Sequence, residues 1–318
     1  MNLEQLPITL REIEKNLFYI FDYTEDYQLQ KFMHMGARST EELIQFMGSE
    51  VLGGILPELK IQDAGCSTYA AQLKKGDCFL GRNFDFDPCA RMLLRTRPAN
   101  GYASLSMVDL KYVGIPLDKL PLTDAQTPLM LTTPYAILDG VNEKGLAVGV
   151  LLIRYQNTNQ NTGKIGFTTT SSMRMALDCC ATVSEAVELY SSYDMYAAEG
   201  ANYHFHIADA QGNSIIIEYV DNKMHVIENK YCTNFLLTSG MNRIGSGHER
   251  YEKLEKAMKE KNGVFDDMTD AMKTLCEVSE DRTRWSAVYN LTNPSILLVN
   301  ERNYDKPYIF TLNGFCEF

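Results

Sequence analysis

Beyond residue 65 the chain breaks into short β-type runs, interrupted twice by pairs of helical segments, and this alternation limits the fold more than any other feature. Runs 67–73 and 78–83 flank Lys74-Lys75-Gly76-Asp77, which has the composition of a hairpin turn. Further strands are predicted at 102–110, 146–154, 203–208, 214–219 and 224–227, the last three joined by turns at 209–212 and 221–223. Helices are predicted at 169–180 and 186–193, the second opened by Thr182 and Glu185 as a capping box, and again at 248–259 and 266–276. Runs 285–291 and 296–299 close on a hairpin around Asn293-Pro294. Antiparallel strands interrupted by helix pairs predict a layered α+β fold, sheets packed together and helices outside. The polar stretch 156–164 is long enough to be a candidate substrate lid.

Residues 1–65 read differently. Thr9 with Glu12 forms a capping box ahead of Ile13, Leu17 and Ile20 on one helical face. Ser39 with Glu42 repeats the signal ahead of Leu43, Met47 and Val51, and Gly53, Gly54 and Pro57 stop that helix. The reading is a helical leader, 1–65, followed by a body, 66–318.

Composition removes several function classes. Hydrophobic residues make up 45% and charged residues 22%, as in ordinary globular chains. A net charge of −11 offers no basic footprint for nucleic acid. The chain has no run of 18 apolar residues for a membrane span, and Glu4, Glu12 and Glu14 stand where a secretory signal would be basic and apolar. A cytoplasmic location is expected. The eight cysteines show neither a CxxC pair nor zinc-ligand spacing with histidine, so no metal or cofactor is expected. Most of them fit as buried thiols acting as small hydrophobes. Cys66 is the exception.

Gly65-Cys66-Ser67-Thr68 is followed by Gly81-Arg82-Asn83-Phe84-Asp85. If 67–73 and 78–83 pair, Arg82 and Asp85 return to the start of the first strand, beside Cys66. An adjacent guanidinium would lower the thiol pKa and raise its thiolate fraction. Asp85 could accept from an amine or orient the guanidinium. None of the five histidines has an obvious partnering spacing. None is needed if Cys66 becomes the first residue of a cut chain, because its own α-amino group can then act as base. Gly65 suits a bent, exposed peptide bond ahead of it. Arg82 and Asp85 also fit a structural ion pair.

At these residues the chain resembles the choloylglycine hydrolase and acid ceramidase group of N-terminal-nucleophile hydrolases. That group keeps an Arg sixteen residues after the Cys and an Asp three residues later, the spacing of Cys66, Arg82 and Asp85. The segment 139–146 (Asp-Gly-Val-Asn-Glu-Lys-Gly-Leu) is similar to a second signature of the group. His204 with 212–215 and Glu218 resembles a third, and Tyr231-Cys232-Thr233-Asn234 a fourth. Arg284-Trp285-Ser286 lies near the tract where the group keeps a further Arg. The resemblance implies a four-layer αββα sandwich and attack of Cys66 on a linear amide. It also implies an oxyanion site including Asn234, with Arg284 alongside. Where bile-salt enzymes carry an oxyanion Asn, Leu152 stands here, ten residues after Asn142, which puts a bile-salt substrate in question and points to a backbone N–H as second donor. Asn142, Leu152 and His204 are the candidate substrate contacts. Asn142 equally fits a turn, His204 a satisfied sheet histidine, Asn234 a strand end and Arg284 a solvated charge.

Three functions follow from this resemblance. The first is hydrolysis of N-acyl amines or N-acyl amino acids after cleavage between Gly65 and Cys66, the leader staying bound as a subunit or leaving as a propeptide. The second is acyl transfer on the same scaffold. The third is non-catalytic binding of acyl amides by an uncut chain. A small N-acyl amide is the expected partner, and self-association is compatible with all three.

Overall fold

The computed structural model describes residues 9–55, 65–123, 126–198 and 201–317. Strands β1 (Thr9–Glu14) and β2 (Phe18–Tyr23) precede helices α1 (Leu29–Met35) and α2 (Thr40–Phe46). Then come β3 (Gly65–Leu73), β4 (Cys78–Asp85), β5 (Arg91–Thr96), β6 (Ser104–Asp109), β7 (Ile137–Asn142) and β8 (Ala147–Ile153). Helices α3 (Thr169–Cys179) and α4 (Val183–Ser192) lead to β9 (Asn202–Ala208), β10 (Ser214–Val220), β11 (Lys223–Glu228) and β12 (Tyr231–Cys232). Helices α5 (His248–Glu260) and α6 (Met268–Glu277) lead to β13 (Thr283–Asn290), β14 (Ser295–Asn300), β15 (Tyr308–Thr311) and β16 (Gly314–Glu317).

Nine strands form one sheet in the order β1-β2-β5-β6-β7-β8-β9-β10-β11, and the second sheet runs β12-β3-β4-β13-β14-β15-β16. Side-chain alternation decides how they stack. On β3, Tyr69, Ala71 and Leu73 join Leu254 of α5 and Ala271 and Leu275 of α6 in one apolar cluster. Cys66 and Ala70, on the other face, join the core shared with the nine-stranded sheet. The same split recurs on β14, where Leu297 and Val299 meet the helices and Ile296 and Leu298 the core. Helix α3 packs on β7 and β8 from the opposite side. The layers are therefore helix, sheet, sheet, helix, as the resemblance implied.

The leader is not helical at its start. Residues predicted as the first helix form the β1–β2 hairpin, and β2 runs parallel to β5 inside the nine-stranded sheet. Phe18, Tyr19, Ile20 and Phe21 are all buried, so both faces of β2 pack; a fully buried β-branched and aromatic run favours strand over the amphipathic helix that spacing suggested. Glu12, expected in a capping box, instead takes the Asn16 N–H (2.6 Å) in the hairpin turn, where Asn16 adopts φ 54°. The second leader signal is met. Ser39 Oγ accepts from Glu42 N–H, Glu42 takes the Arg38 N–H (2.7 Å), and a π-helical turn, Met47–Val51, carries α2 onward. Pro57 lies outside the described residues.

Candidate active site

The β3–β4 hairpin sets the site. Its register places Cys66 opposite Phe84, Thr68 opposite Arg82, and Gly65 opposite Asp85. Paired residues share a face, so Cys66, Thr68, Arg82 and Phe84 point between the sheets, whereas Asp85 points toward the α5–α6 side. The two expected partners of the sulfur thus lie on opposite faces of the hairpin.

On the inner face Arg82 Nη2 lies 3.3 Å from Cys66 Sγ. Arg82 Nε pairs with Asp139 Oδ2 of β7 at 2.5 Å, both side chains fully buried. Asp139 also accepts from Trp285 Nε1 (3.1 Å) and from the Tyr289 hydroxyl, both on β13. With three donors fixing its carboxylate, Asp139 aims the guanidinium at the sulfur. Arg82 Nη1 lies against Gly149 of β8 and has no partner among the described residues.

On the other face Arg250 of α5 does what the sequence did not announce. Its Nη1 donates to the Cys66 carbonyl (2.8 Å) and to Asp85 Oδ2 (2.8 Å), and its Nη2 donates to Asn234 Oδ1 (3.0 Å). Asn234 Oδ1 also accepts the Cys66 N–H at 2.8 Å. Thr283 Oγ1 donates to Asp85 Oδ1 (2.5 Å). The backbone of Cys66 is therefore held at both its N–H and its carbonyl. Asp85 reaches Cys66 through Arg250, not through the sulfur.

The electrostatics differ from expectation in sign. Burial pushes the Cys66 thiol up, and the nearby Arg82 only partly offsets this. Cys66 is 1% exposed, and the predicted lowering by arginine is outweighed by desolvation. Burial likewise raises the Asp85 carboxyl against the pull of Arg250.

The remaining candidates divide. Leu152 joins through its backbone, its carbonyl accepting from Asn234 Nδ2 at 2.7 Å. The donor expected to serve an oxyanion is thus engaged with that carbonyl. Asn142 is bonded within the fold. Its Nδ2 donates to the Leu177 and Cys180 carbonyls at the end of α3 (2.8 and 2.7 Å), and its Oδ1 accepts from Lys144 and Leu146 N–H. His204 is buried, its Nδ1 3.1 Å from Cys232 Sγ and its Nε2 2.5 Å from Glu218. Arg284 is not drawn to Cys66: it pairs with Glu301 (2.6 Å) and donates to the Phe86, Arg282 and Asp281 carbonyls. A bulge between Thr283 and Trp285 alters the register there and leaves Thr283 to meet Asp85. The loop 156–164 is held to the body, with Asn159 N–H on Asn222 and Thr162 on Asp194.

Asp139, Arg250, Thr283, Trp285 and Tyr289 were missed. Asp139 had a signal, since it opens the 139–146 segment. Arg250 had none, because helix α5 must fold onto β3 before it faces Cys66.

Comparison with known proteins bears on the fold and the family. Penicillin V acylase from Pectobacterium atrosepticum is 36% identical over 103 residues, covering 29% of this chain and 27% of that protein. The chain thus matches about a quarter of that curated relative's length. A mutant of conjugated bile acid hydrolase from Clostridium perfringens superposes with TM-score 0.55 at 16% identity, covering 80% of this chain and 96% of that one. A second variant of that hydrolase gives TM-score 0.55 at 15% identity over the same shares. At such identities the likeness is one of fold. The model of acyl-coenzyme A:6-aminopenicillanic acid acyl-transferase matches residues 72–301, a span that holds Arg82, Asp85, Asp139, Asn234 and Arg250 and begins after Cys66. With most of its length matched, the chain belongs to the acyl-coenzyme A:6-aminopenicillanic acid acyl-transferase family.

Proposed function

We propose that this protein is a cysteine-dependent hydrolase of linear amide bonds in N-acyl amines or N-acyl amino acids, active after its chain is cut between Gly65 and Cys66. The observation that carries the reading is Arg82 Nη2 at 3.3 Å from Cys66 Sγ, with the Cys66 backbone clamped by Asn234 and Arg250. Cutting would turn the clamped N–H into an α-amino group beside the sulfur, able to take the thiol proton. The thiolate would attack the substrate carbonyl, the amine would leave, and water would release the acid. We assign the oxyanion to Arg82 Nη1, buried without a partner among the described residues, and to Asn234 Nδ2 once freed from Leu152.

The leader is best read as a retained subunit. Strand β2 pairs with β5 over its full length, and Asp22 accepts from Arg95 Nη2 at 2.7 Å. Cutting at Gly65 breaks none of these bonds.

The family's description favours a second reading, transfer of the acyl group to an amine instead of water. A panel of amides varied in acyl length and amine head, with and without added amine acceptor, separates the two: free acid alone supports hydrolysis, and a new amide supports transfer. Intact-mass measurement tests the cut itself. Wild-type protein should split between Gly65 and Cys66, and Cys66→Ala should neither split nor hydrolyse. Full hydrolytic activity in uncut protein would refute the amine-base mechanism, and failure of native Cys66 to react with a thiol probe would favour an uncut binding protein.

A further inference from the structure

Self-cleavage poses a problem that the cut enzyme does not face. The nitrogen proposed as base is, before cutting, the amide nitrogen of the bond being cut, and its N–H is donated to Asn234. Once the C–N bond breaks that nitrogen is an α-amine, but it belongs to a residue only 1% exposed, and the water that clears the leader from the sulfur must come from the Gly65 side, where a second acceptor could meet it. Arg82 and Arg250 are donors only.

Among the described residues, two carboxylates wall Gly65. A Cβ added there would stand 3.4 Å from Asp85 Oδ2 and 3.6 Å from Glu280 Oε2. Asp85 is 1% exposed, and its two oxygens accept from Thr283 and Arg250. The Glu280 side chain is 47% exposed; its Oε1 pairs with Arg250 Nε at 3.0 Å, and its Oε2 is turned to Gly65. The loop that carries it is pinned in place. Glu280 N–H donates to Thr283 Oγ1 (2.9 Å) and Thr283 N–H returns to the Glu280 carbonyl (2.9 Å), so the residue that holds Asp85 also holds Glu280. Of the two carboxylates, Glu280 is the one that solvent reaches.

The geometry points to Glu280 as the general base for the hydrolytic half of self-cleavage, a catalytic residue of maturation; this rests on the proposed cut at Gly65–Cys66. Sγ of Cys66 bonds to the Gly65 carbonyl carbon, the C–N bond breaks, and the thiol proton ends on the new amine. The leader is then held as a thioester. Water adds to that carbonyl as Glu280 takes one of its protons, the C–S bond breaks, and the departing sulfur recovers the proton from Glu280. The net change is one water across the peptide bond, with no other reactant.

The test uses the full chain and mass spectrometry. Glu280→Gln should slow splitting by about 10²-fold, the lower range for a lost general base. It should also accumulate a thioester. Hydroxylamine, a nucleophile that needs no such base, should restore splitting and leave the leader ending in a hydroxamate. Glu280→Asp, which keeps the carboxylate, should split faster than Glu280→Gln. Three results would overturn the assignment: splitting of Glu280→Gln at the wild-type rate, slowed splitting that hydroxylamine does not rescue, or Glu280→Asp no faster than Glu280→Gln. The second would mean that Glu280 acts only by holding Arg250. If wild-type protein is never cut, the proposed maturation fails first, and that outcome is distinct from all three.

Discussion

Arg82–Asp139 and Arg174–Asp178 are both buried arginine–aspartate pairs, and they are built for different tasks. Arg82–Asp139 joins strands of two sheets, β4 and β7, and the carboxylate takes further donors from Trp285 and Tyr289. Arg174–Asp178 lies within one helix, α3, and its carboxylate takes the hydroxyl of Tyr27, a residue from before the proposed cut. Arg174 also bonds Ser104 Oγ (2.9 Å) and sits over the Tyr27 ring, yet its Nε and Nη1 have no partner among the described residues. The first pair turns a further donor, Arg82 Nη2, to a sulfur. The second ties the leader to the body. A buried ion pair adds little net stability over an apolar replacement, but removing one partner costs much, so each pair is better understood by what its extra bonds position.

The comparison can be broken most sharply at Asp139. Asp139→Ala should destabilise the fold by about 3–5 kcal/mol, since it strands a buried guanidinium. Chemical denaturation measures this. Splitting should also stop, and Asp139→Asn, which keeps the shape, should lose less stability while still slowing the cut. Unchanged splitting in Asp139→Asn would mean that Arg82 needs no aiming.

Acid sharpens the contrast next. His206 bonds Thr68 Oγ1 on β3 and Ser214 Oγ, and burial, with Lys230, His204 and Arg82 nearby, pushes its pKa down to about 3. The unfolded chain takes up this proton near pH 6.5 and the folded chain does not. The stability this group contributes is therefore present above pH 6.5 and is lost as pH falls toward 3. The loss should be on the order of a few kcal/mol, and a denaturation series in His206→Gln should be flatter over that window.

At the second pair, Tyr27→Phe removes one donor from the buried Asp178. We expect about 1–3 kcal/mol of lost stability, a wild-type cutting rate, and easier separation of leader from body on gel filtration in denaturant. A change in cutting rate would show that the two pairs are coupled. The smallest effect belongs to Arg284→Ala. Its partly exposed pair with Glu301 should be worth under about 1 kcal/mol, with splitting and amide hydrolysis unaltered. A large loss of hydrolysis there would restore the role first read from sequence.

Local chemistry was legible where it acted locally. The caps at Ser39 and Thr182 formed as read, because a side-chain oxygen and the N–H three residues on meet in any helix start. The β3–β4 hairpin also formed as read, and with it Arg82 reached Cys66. The Thr9–Glu12 signal failed because burial on both faces of β2 outweighs an exposed cap. Asn142, read as either a turn residue or a substrate contact, holds the end of α3, whose packing on β7 no short motif encodes.

By itself the sequence determined a layered α+β chain and a cysteine whose guanidinium lies one hairpin away, because strand period and turn chemistry are properties of neighbouring residues. The tertiary structure decided the rest. Asp139, Arg250 and Glu280 gather at Gly65 and Cys66 from distant elements, and Asp85 was sent to the opposite face by strand alternation. Burial, a property of the whole fold and of no single residue, set the sign of the thiol's shift against the arginine beside it.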